Sequence, residues 1–150
     1  MHILFCNWRD SQNAEGGGSE RYVENMARGL VERGHRVTIA CAAHDRAPRN
    51  EVVDGVRFVR RGRKMGIYLR TFLGILLGRY GRIDVVVDVQ NGLPFFTRLA
   101  TSKPVVVLVH HVHREQWPVV YQGLVGRIGW WIESRLSPRL YQHSQYVAVS

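Results

Sequence analysis

The sequence predicts an α/β fold, a doubly wound parallel sheet with helices on both faces. Short apolar runs alternate with longer segments of helical periodicity, and the run at residues 84–89 is almost entirely valine and aspartate. Alternating strands and helices favour parallel pairing through right-handed crossovers, and valine-rich strands are typical of sheets covered on both faces. We therefore expect about six parallel strands in the Rossmann-like order 3-2-1-4-5-6.

The first half of the chain contains three predicted strands and two predicted helices. The strands are expected at residues 2–6, 36–41 and 56–59, and the helices at residues 20–33 and 64–79. The dipeptide Asp54-Gly55 predicts a hairpin whose second arm is the third strand of the sheet. Ser19 is the expected N-cap of the first helix, and Gly34 is the residue expected to end it.

The second half continues the same alternation. Strands are predicted at residues 84–89, 105–109 and 146–149, with a short helix ending near residue 100 and a long helix at residues 120–141. Pro138 should kink or interrupt the long helix because proline lacks an amide donor. The last strand would bring Ser150 to the functional edge of the sheet, so we expect the sequence to be the first domain of a longer protein.

Composition predicts a single domain that attracts anions. The 150 residues carry 21 Lys and Arg against 12 Asp and Glu, a formal net charge of +9. Part of the excess is local: Arg57, Arg60, Arg61, Arg63, Lys64 and Arg70. A solvated basic face and a peripheral contact with an anionic membrane both fit this charge. Nucleic acid is not expected, since no recognised module or interleaved aromatic residues are present.

Localisation is expected to be cytoplasmic. The N-terminus lacks the basic region and the cleavage site of a signal peptide, and no apolar run reaches the ~20 residues of a membrane span. Cys6 and Cys41 both lie in apolar strands. Two buried thiols in a reducing compartment are therefore expected, in preference to a disulfide.

The candidate binding residues follow the predicted strands at one edge of the sheet. Ligands of parallel sheets bind outside the carboxyl ends of the strands. The loop with Gly16, Gly17 and Gly18 follows the first strand, Asn91 follows the fourth and His110 the fifth. Their convergence predicts a ligand site, although Asn91 with Gly92 could equally form only a turn.

The three glycines predict a cradle for a phosphate or a sugar, or else a flexible turn that packs strand against helix. Glycine allows a ligand to approach the backbone, and the first amides of the following helix have no partner within that helix. The spacing matches neither a G-x-G-x-x-G dinucleotide site nor a P-loop. Glu20 could contact a ligand or only favour the helix dipole.

Three histidines, His110, His111 and His113, follow the fifth strand. Zinc would need further ligands, and no carboxylate or thiol lies at the spacing of a catalytic zinc site, so no metal is expected. His110 could instead donate a hydrogen bond to a phosphate or a sugar hydroxyl. Asp88 ends an apolar strand, where a carboxylate must face solvent or be held by an arginine.

Four stretches of the sequence resemble the N-terminal domain of a GT-B-fold glycosyltransferase of the group 1 type (family 4). They are the opening strand with EGGGSE and its helix, ERGHRVTIA, DGVRFVRRG, and VVVLVHH with the final YVAVS. Together they cover essentially all 150 residues in the order of that family.

The resemblance implies a hexosyltransferase-type enzyme that moves a sugar from a nucleotide-sugar donor to an acceptor, with retention and without a bound metal. Residues 1–150 would be the acceptor-side domain. The nucleotide-binding C-terminal domain would be absent from this chain, which would be inactive alone. A non-enzymatic α/β domain that binds a phosphorylated ligand or an anionic surface is the alternative.

The resemblance also assigns individual residues. Gly17 and Gly18 match the glycine pair whose amides approach the donor diphosphate or the sugar, and His110 matches a catalytic histidine near the transferred sugar. Gly16 stands where another small residue is commoner, and we expect it to loosen the loop. From their position at the same edge, and not from the resemblance, Gly16, Asn91 and His111 complete the set of expected substrate or donor-phosphate contacts.

Overall fold

The computed structural model describes residues 1–63, 65–91, 93–110 and 123–149, which form one α/β domain around a seven-stranded sheet. The strands are β1 (His2–Cys6), β2 (Arg36–Cys41), β3 (Asn50–Val53), β4 (Val56–Arg60), β5 (Val85–Gln90), β6 (Val105–Val109) and β7 (Gln145–Ala148). The order across the sheet is β3-β4-β2-β1-β5-β6-β7. All neighbours are parallel except β3 and β4.

The sheet therefore differs from the predicted order by one antiparallel edge strand, β3. The hairpin predicted from Asp54-Gly55 is present, and both of its turn residues have positive φ, 51° and 81°. A two-residue turn with positive φ at both positions matches the right-handed twist of the strands. A Cβ on Gly55 would lie 2.6 Å from Val31 of the first helix, so the turn also packs against that helix.

Five α-helices are described: α1 (Gly18–Glu32), α2 (Gly66–Leu76), α3 (Thr97–Ala100), α4 (Leu124–Trp131) and α5 (Ser137–Leu140). Gly34 follows α1 with φ of 91°, and its amide bonds to Val31, so the predicted stop is confirmed. A π-helical turn, Ile132–Leu136, separates α4 from α5, and Pro138 lies in the first turn of α5. The predicted interruption near Pro138 is thus a π-helical turn between two α-helices.

Apolar side chains fill a core on each face of the sheet, as the valine-rich strands predict. Val23 and Ala27 of α1 pack over Phe5 and the residues around it on one face. Ile67 and Ile75 of α2 pack on the opposite face. Side chains alternate along each strand, and in β4 Val56 and Phe58 therefore face the α1 side while Val59 faces the α2 side.

Candidate functional site

The glycine loop leads from β1 into α1 at the carboxyl edge of the sheet. Gly17 is the N-cap of α1, with extended backbone angles of −150° and −151°. The prediction that Ser19 caps the helix is wrong, because the helix already begins at Gly18. Ser19 is therefore a first-turn residue whose amide, like that of Gly18, has no partner within the helix.

The buried side chain of Glu20 stabilises the start of α1. Its carboxylate is buried and accepts a hydrogen bond of 2.7 Å from the Gly17 amide. The Arg9 Nε atom lies 4.0 Å from the same carboxylate. The Gly17 amide is thus already occupied, and the first-turn amides of Gly18 and Ser19 are the donors that α1 can offer to an anion.

Gly16 packs the loop tightly and does not loosen it. A Cβ at this position would lie 2.5 Å from the Asp10 carbonyl oxygen and 3.0 Å from that of Asn13. The Gly16 amide donates to the Asn13 carbonyl at 2.9 Å. By contrast, a Cβ on Gly18 would meet no atom of the described residues within 4 Å. Gly16 is therefore required by the close packing of the loop, whereas Gly18 is not in close contact with any other described part of the chain.

A buried polar network anchors this loop to the rest of the sheet. The fully buried carboxylate of Asp10 accepts hydrogen bonds from the Asn13 amide at 2.9 Å, from His44 Nε2 at 2.9 Å and from Arg60 Nε. The Cys41 thiol lies 3.7 Å from the same carboxylate. Asp10 therefore joins the loop after β1 to the carboxyl ends of β2 and β4.

Arg60 is the cation of this network. Its Nη1 donates to the Pro48 carbonyl at 2.9 Å and to Glu51 at 2.8 Å. Burial by itself would lower the pKa of Arg60, but the hydrogen bonds to Asp10 and Glu51 outweigh burial and raise the pKa. The guanidinium thus stays charged although it is fully buried. Arg60 is therefore not part of the solvated basic face that the local cluster of arginines in the sequence predicts.

His110 lies beside the helix that the glycine loop begins. It follows β6 directly, and its ring meets the ring of Tyr22 edge-on, with centroids 5.5 Å apart. Tyr22 is the fifth residue of α1, one turn beyond Gly18. The carboxyl end of β6 and the start of α1 therefore converge at the same edge, as the strand order requires.

Asn91 also lies at this edge, immediately after β5. It is half-buried and forms an isolated bridge with Leu93. The neighbouring Gln90 accepts a hydrogen bond of 3.0 Å from the Ser137 hydroxyl, and its Nε2 is buried without a partner in the described part of the chain. The end of β5 thus carries a turn at Asn91 and a buried side-chain amide at Gln90.

Asp88 is neither exposed nor held by an arginine, contrary to both sequence-based alternatives. It is fully buried and accepts hydrogen bonds from the Tyr141 hydroxyl at 2.5 Å, the Thr97 hydroxyl at 2.8 Å and the Phe95 amide at 3.2 Å. Burial raises the pKa of Asp88, and these three hydrogen bonds oppose the rise. Asp88 is a structural carboxylate that ties α3 and the chain after α5 to β5.

Several predicted residues lie outside the described ranges. They are Lys64, Gly92, His111, His113 and Ser150. Among residues 1–63, 65–91, 93–110 and 123–149, no group of three His, Cys, Asp or Glu side chains is arranged to hold a metal ion. Within the same ranges, no helix is long and apolar enough to cross a membrane.

The fold defines an α/β domain that brings a helix N-terminus, a histidine and a side-chain amide to the carboxyl edge of a mostly parallel sheet. A family model described as a glycosyl transferase 4-like domain matches residues 17–149. The chain belongs to this family, which confirms the resemblance seen in the sequence. The domain thus serves glycosyl transfer, with a sugar donor and an acceptor as substrates. A search of curated proteins finds no match.

Proposed function

We propose that this domain forms the acceptor side of a two-domain, retaining glycosyltransferase of the GT-B type that uses a nucleotide-sugar donor. The proposal rests on the contact between the His110 ring and Tyr22 of α1, the helix that begins at Gly18. A donor molecule has both an anionic diphosphate and a sugar with hydroxyl groups. An edge that offers helix amides and an imidazole side by side suits both parts.

The start of α1 would receive the donor diphosphate. Helix N-termini present unpaired amides and a partial positive charge, which together favour phosphate. Gly18 would leave the approach to these amides open, because no atom of residues 1–63, 65–91, 93–110 or 123–149 lies within 4 Å of its Cβ position. Fixed amides cost little reorganisation as the leaving diphosphate gains charge, and they therefore stabilise the transition state.

His110 would act on the sugar. An imidazole at the end of β6, beside Tyr22, can donate a hydrogen bond to a sugar hydroxyl or to the developing charge near the bond that breaks. Asn91 at the end of β5 would supply further amide hydrogen bonds, and His111 remains a proposed substrate contact from the sequence. No bound metal is needed for these roles.

A second domain would complete the site. The proposed contacts come from one side only, and transfer requires that donor and acceptor be held together in the reacting geometry. We therefore propose that a nucleotide-binding C-terminal domain closes over this edge and that residues 1–150 alone do not turn over substrate.

The test uses the full-length protein and measures consumption of a nucleotide-sugar donor. Gly18→Val and His110→Ala should each lower kcat/KM by roughly tenfold or more, the effect expected when one transition-state contact is lost. Gly29→Val is the matched control, since Gly29 also lies in α1 and no atom of the described residues is within 4 Å of its Cβ position. Full activity of both site variants would contradict the assignment.

A contact with an anionic surface, which is compatible with glycosyl transfer, is favoured by one separate observation. Helix α2 exposes three leucines, Leu69, Leu76 and, just after its end, Leu77, with 55% to 63% of each exposed. Exposed apolar residues beside arginines are typical of a helix that lies on a membrane interface. We propose a peripheral contact of α2 with the cytoplasmic, anionic face of a membrane.

Vesicle flotation tests this contact. The protein should float with vesicles that contain phosphatidylserine at low salt, and Leu69→Ser with Leu76→Ser should abolish flotation without changing transferase activity on a soluble acceptor. If the double variant floats as well as the parent protein, the membrane contact does not involve α2.

A further inference from the structure

An arginine-lined pocket lies between β4 and α2, on the face of the sheet opposite α1. Its volume is about 160 Å³, and its walls are Arg57, Val59, Arg61, Arg70, Gly74, Arg79 and Tyr80. None of these residues is among the candidate residues at the carboxyl edge. Four of the seven are arginines and none is acidic, which makes the pocket a concentration of positive charge.

The arginines of this pocket are not neutralised within the described part of the chain. No carboxylate there forms an ion pair with Arg57, Arg61, Arg70 or Arg79. Arg61 donates to the carbonyls of Arg49 and Arg60 and to the Asn50 side chain, at 2.8 to 3.0 Å. These acceptors fix the position of Arg61 but leave its charge in place.

The floor of the pocket is shaped by a close contact between α2 and an aromatic ring. A Cβ on Gly74 would lie 2.7 Å from the Tyr80 ring, so glycine is what allows this ring to lie against the helix. Tyr80 is buried, and burial raises its pKa to about 12. Its hydroxyl therefore keeps its proton at neutral pH, so Tyr80 does not offset the positive charge of the arginines around it.

We propose that this pocket binds a phosphate group through Arg57, Arg61, Arg70 and Arg79. Guanidinium groups hold phosphate by short, charge-assisted hydrogen bonds in a planar geometry that suits its oxygens. The volume of about 160 Å³ far exceeds the ~10–15 Å³ that a cavity needs to hold one water molecule, so the pocket has room for a phosphate group. Without an anion, four like charges around one small pocket repel each other, and a bound phosphate relieves that repulsion.

The phosphate could belong to a free phosphorylated molecule or to the headgroup of an anionic lipid, because both present the same oxygens. This site is independent of the proposed glycosyl transfer and of the apolar contact of α2. The leucines on the exposed surface of α2 can be changed without removing a single arginine from the pocket.

Calorimetric titration with inorganic phosphate tests the site. The ionic strength is held fixed, and chloride is the reference anion. Arg70→Gln with Arg79→Gln should weaken phosphate binding by roughly tenfold or more per guanidinium lost. Both side chains are exposed, so the fold should survive. The matched control is Arg33→Gln with Arg127→Gln, which removes the same charge from exposed positions elsewhere and should leave binding unchanged.

Vesicles separate the two sources of phosphate. Binding of the parent protein to vesicles of phosphatidylcholine with phosphatidic acid, lost in Arg70→Gln with Arg79→Gln, identifies a lipid headgroup. Phosphate binding without arginine-dependent vesicle binding identifies a soluble ligand. The proposal is overturned if phosphate gives no more heat or stabilisation than chloride, or if the control pair weakens binding as much as the pocket pair.

Discussion

The carboxylate of Asp10 and the guanidinium of Arg60 form an ion pair in which both side chains are fully buried. Asp10 belongs to the loop after β1, and Arg60 is the last residue of β4, with β2 lying between these strands. The pair therefore fixes the loop that carries Gly16, Gly17 and Gly18 to the carboxyl edge of the sheet. This buried ion pair thus holds the loop that precedes the proposed donor site.

Removing the cation of this pair should strongly destabilise the domain. Arg60→Met leaves Asp10 as a buried charge without its main partner, which typically costs about 3–5 kcal/mol of unfolding free energy. Asp10→Leu with Arg60→Met should cost less than Arg60→Met alone, because no unpaired charge remains. Urea denaturation monitored by circular dichroism measures each free energy.

The matched control is Arg63→Gln, which breaks an exposed ion pair of 2.8 Å with Asp45. Exposed pairs contribute little, so this variant should unfold close to the parent protein. Equal destabilisation by Arg60→Met and Arg63→Gln would show that burial of the Asp10 pair does not matter for stability.

The stability of the domain should depend on pH through Asp88. Its pKa is raised in the folded state by burial, so between its unfolded and folded pKa values the folded protein holds a proton that the unfolded chain has lost. The resulting stabilisation is complete below about pH 4, the unfolded pKa, and is lost as pH rises through the folded pKa.

Asp88→Asn isolates this contribution because asparagine has no titrating group and nearly the same shape. The parent protein should lose stability relative to Asp88→Asn as pH rises from about 4. Unfolding free energies of both proteins across a pH series give the difference, in which other titrating groups cancel. A difference that is constant with pH would mean that Asp88 has an unshifted pKa in the folded protein.

Cys6 and Cys41 should be protected from thiol reagents in the folded protein. Both are free and buried, and burial raises the pKa of each thiol well above its usual value. Because the thiolate is the reactive form, labelling by Ellman's reagent at pH 8 should require transient opening of the fold. Both thiols should react at once in guanidinium chloride, and rapid labelling without denaturant would contradict their burial.

The fold could be predicted from the sequence because the strand, turn and helix-end patterns of short segments match the observed elements. The valines of β5, the Asp54-Gly55 turn and the stop at Gly34 each report a property of a few neighbouring residues. The edge strand β3 was missed as a member of the sheet because its short, partly polar sequence resembles a hairpin arm outside the sheet.

The polar networks could not be predicted because their members are distant in sequence. Asp10 and Arg60 are 50 residues apart, and Asp88 and Tyr141 are 53 apart. One signal for Arg60 was available: alternation along β4 places it on the same face as Val56 and Phe58, which are buried. The charge of Arg60 by itself predicts a position on the surface.

The candidate site was predictable in position and less so in detail. The strand order correctly brought His110 to the glycine-loop helix, where it meets Tyr22. The sequence could not distinguish among Gly16, Gly17 and Gly18, because that distinction depends on which atoms surround each Cα. The three consecutive glycines prove to have different surroundings.

Alanine substitutions at Gly16 and Gly18 should therefore have opposite effects on stability. At Gly16 the new Cβ would lie 2.5 Å from the Asp10 carbonyl oxygen, a backbone atom that cannot move without disturbing the Asp10 network. Overpacking of this kind costs about 1–3 kcal/mol. At Gly18 the new Cβ meets no atom within 4 Å in the part of the chain that the structure describes, and it lies in the first turn of α1. Alanine should therefore stabilise the domain by about 0.4–1 kcal/mol.

Thermal and urea unfolding of the two variants measure this contrast, and neither measurement needs a substrate. A stable Gly18→Ala protein is also the cleanest means to examine donor binding, since any loss of affinity in it cannot come from a damaged fold. If Gly16→Ala proves as stable as Gly18→Ala, the loop does not pack against Asp10 as described, and the link between the buried ion pair and the donor site fails with it.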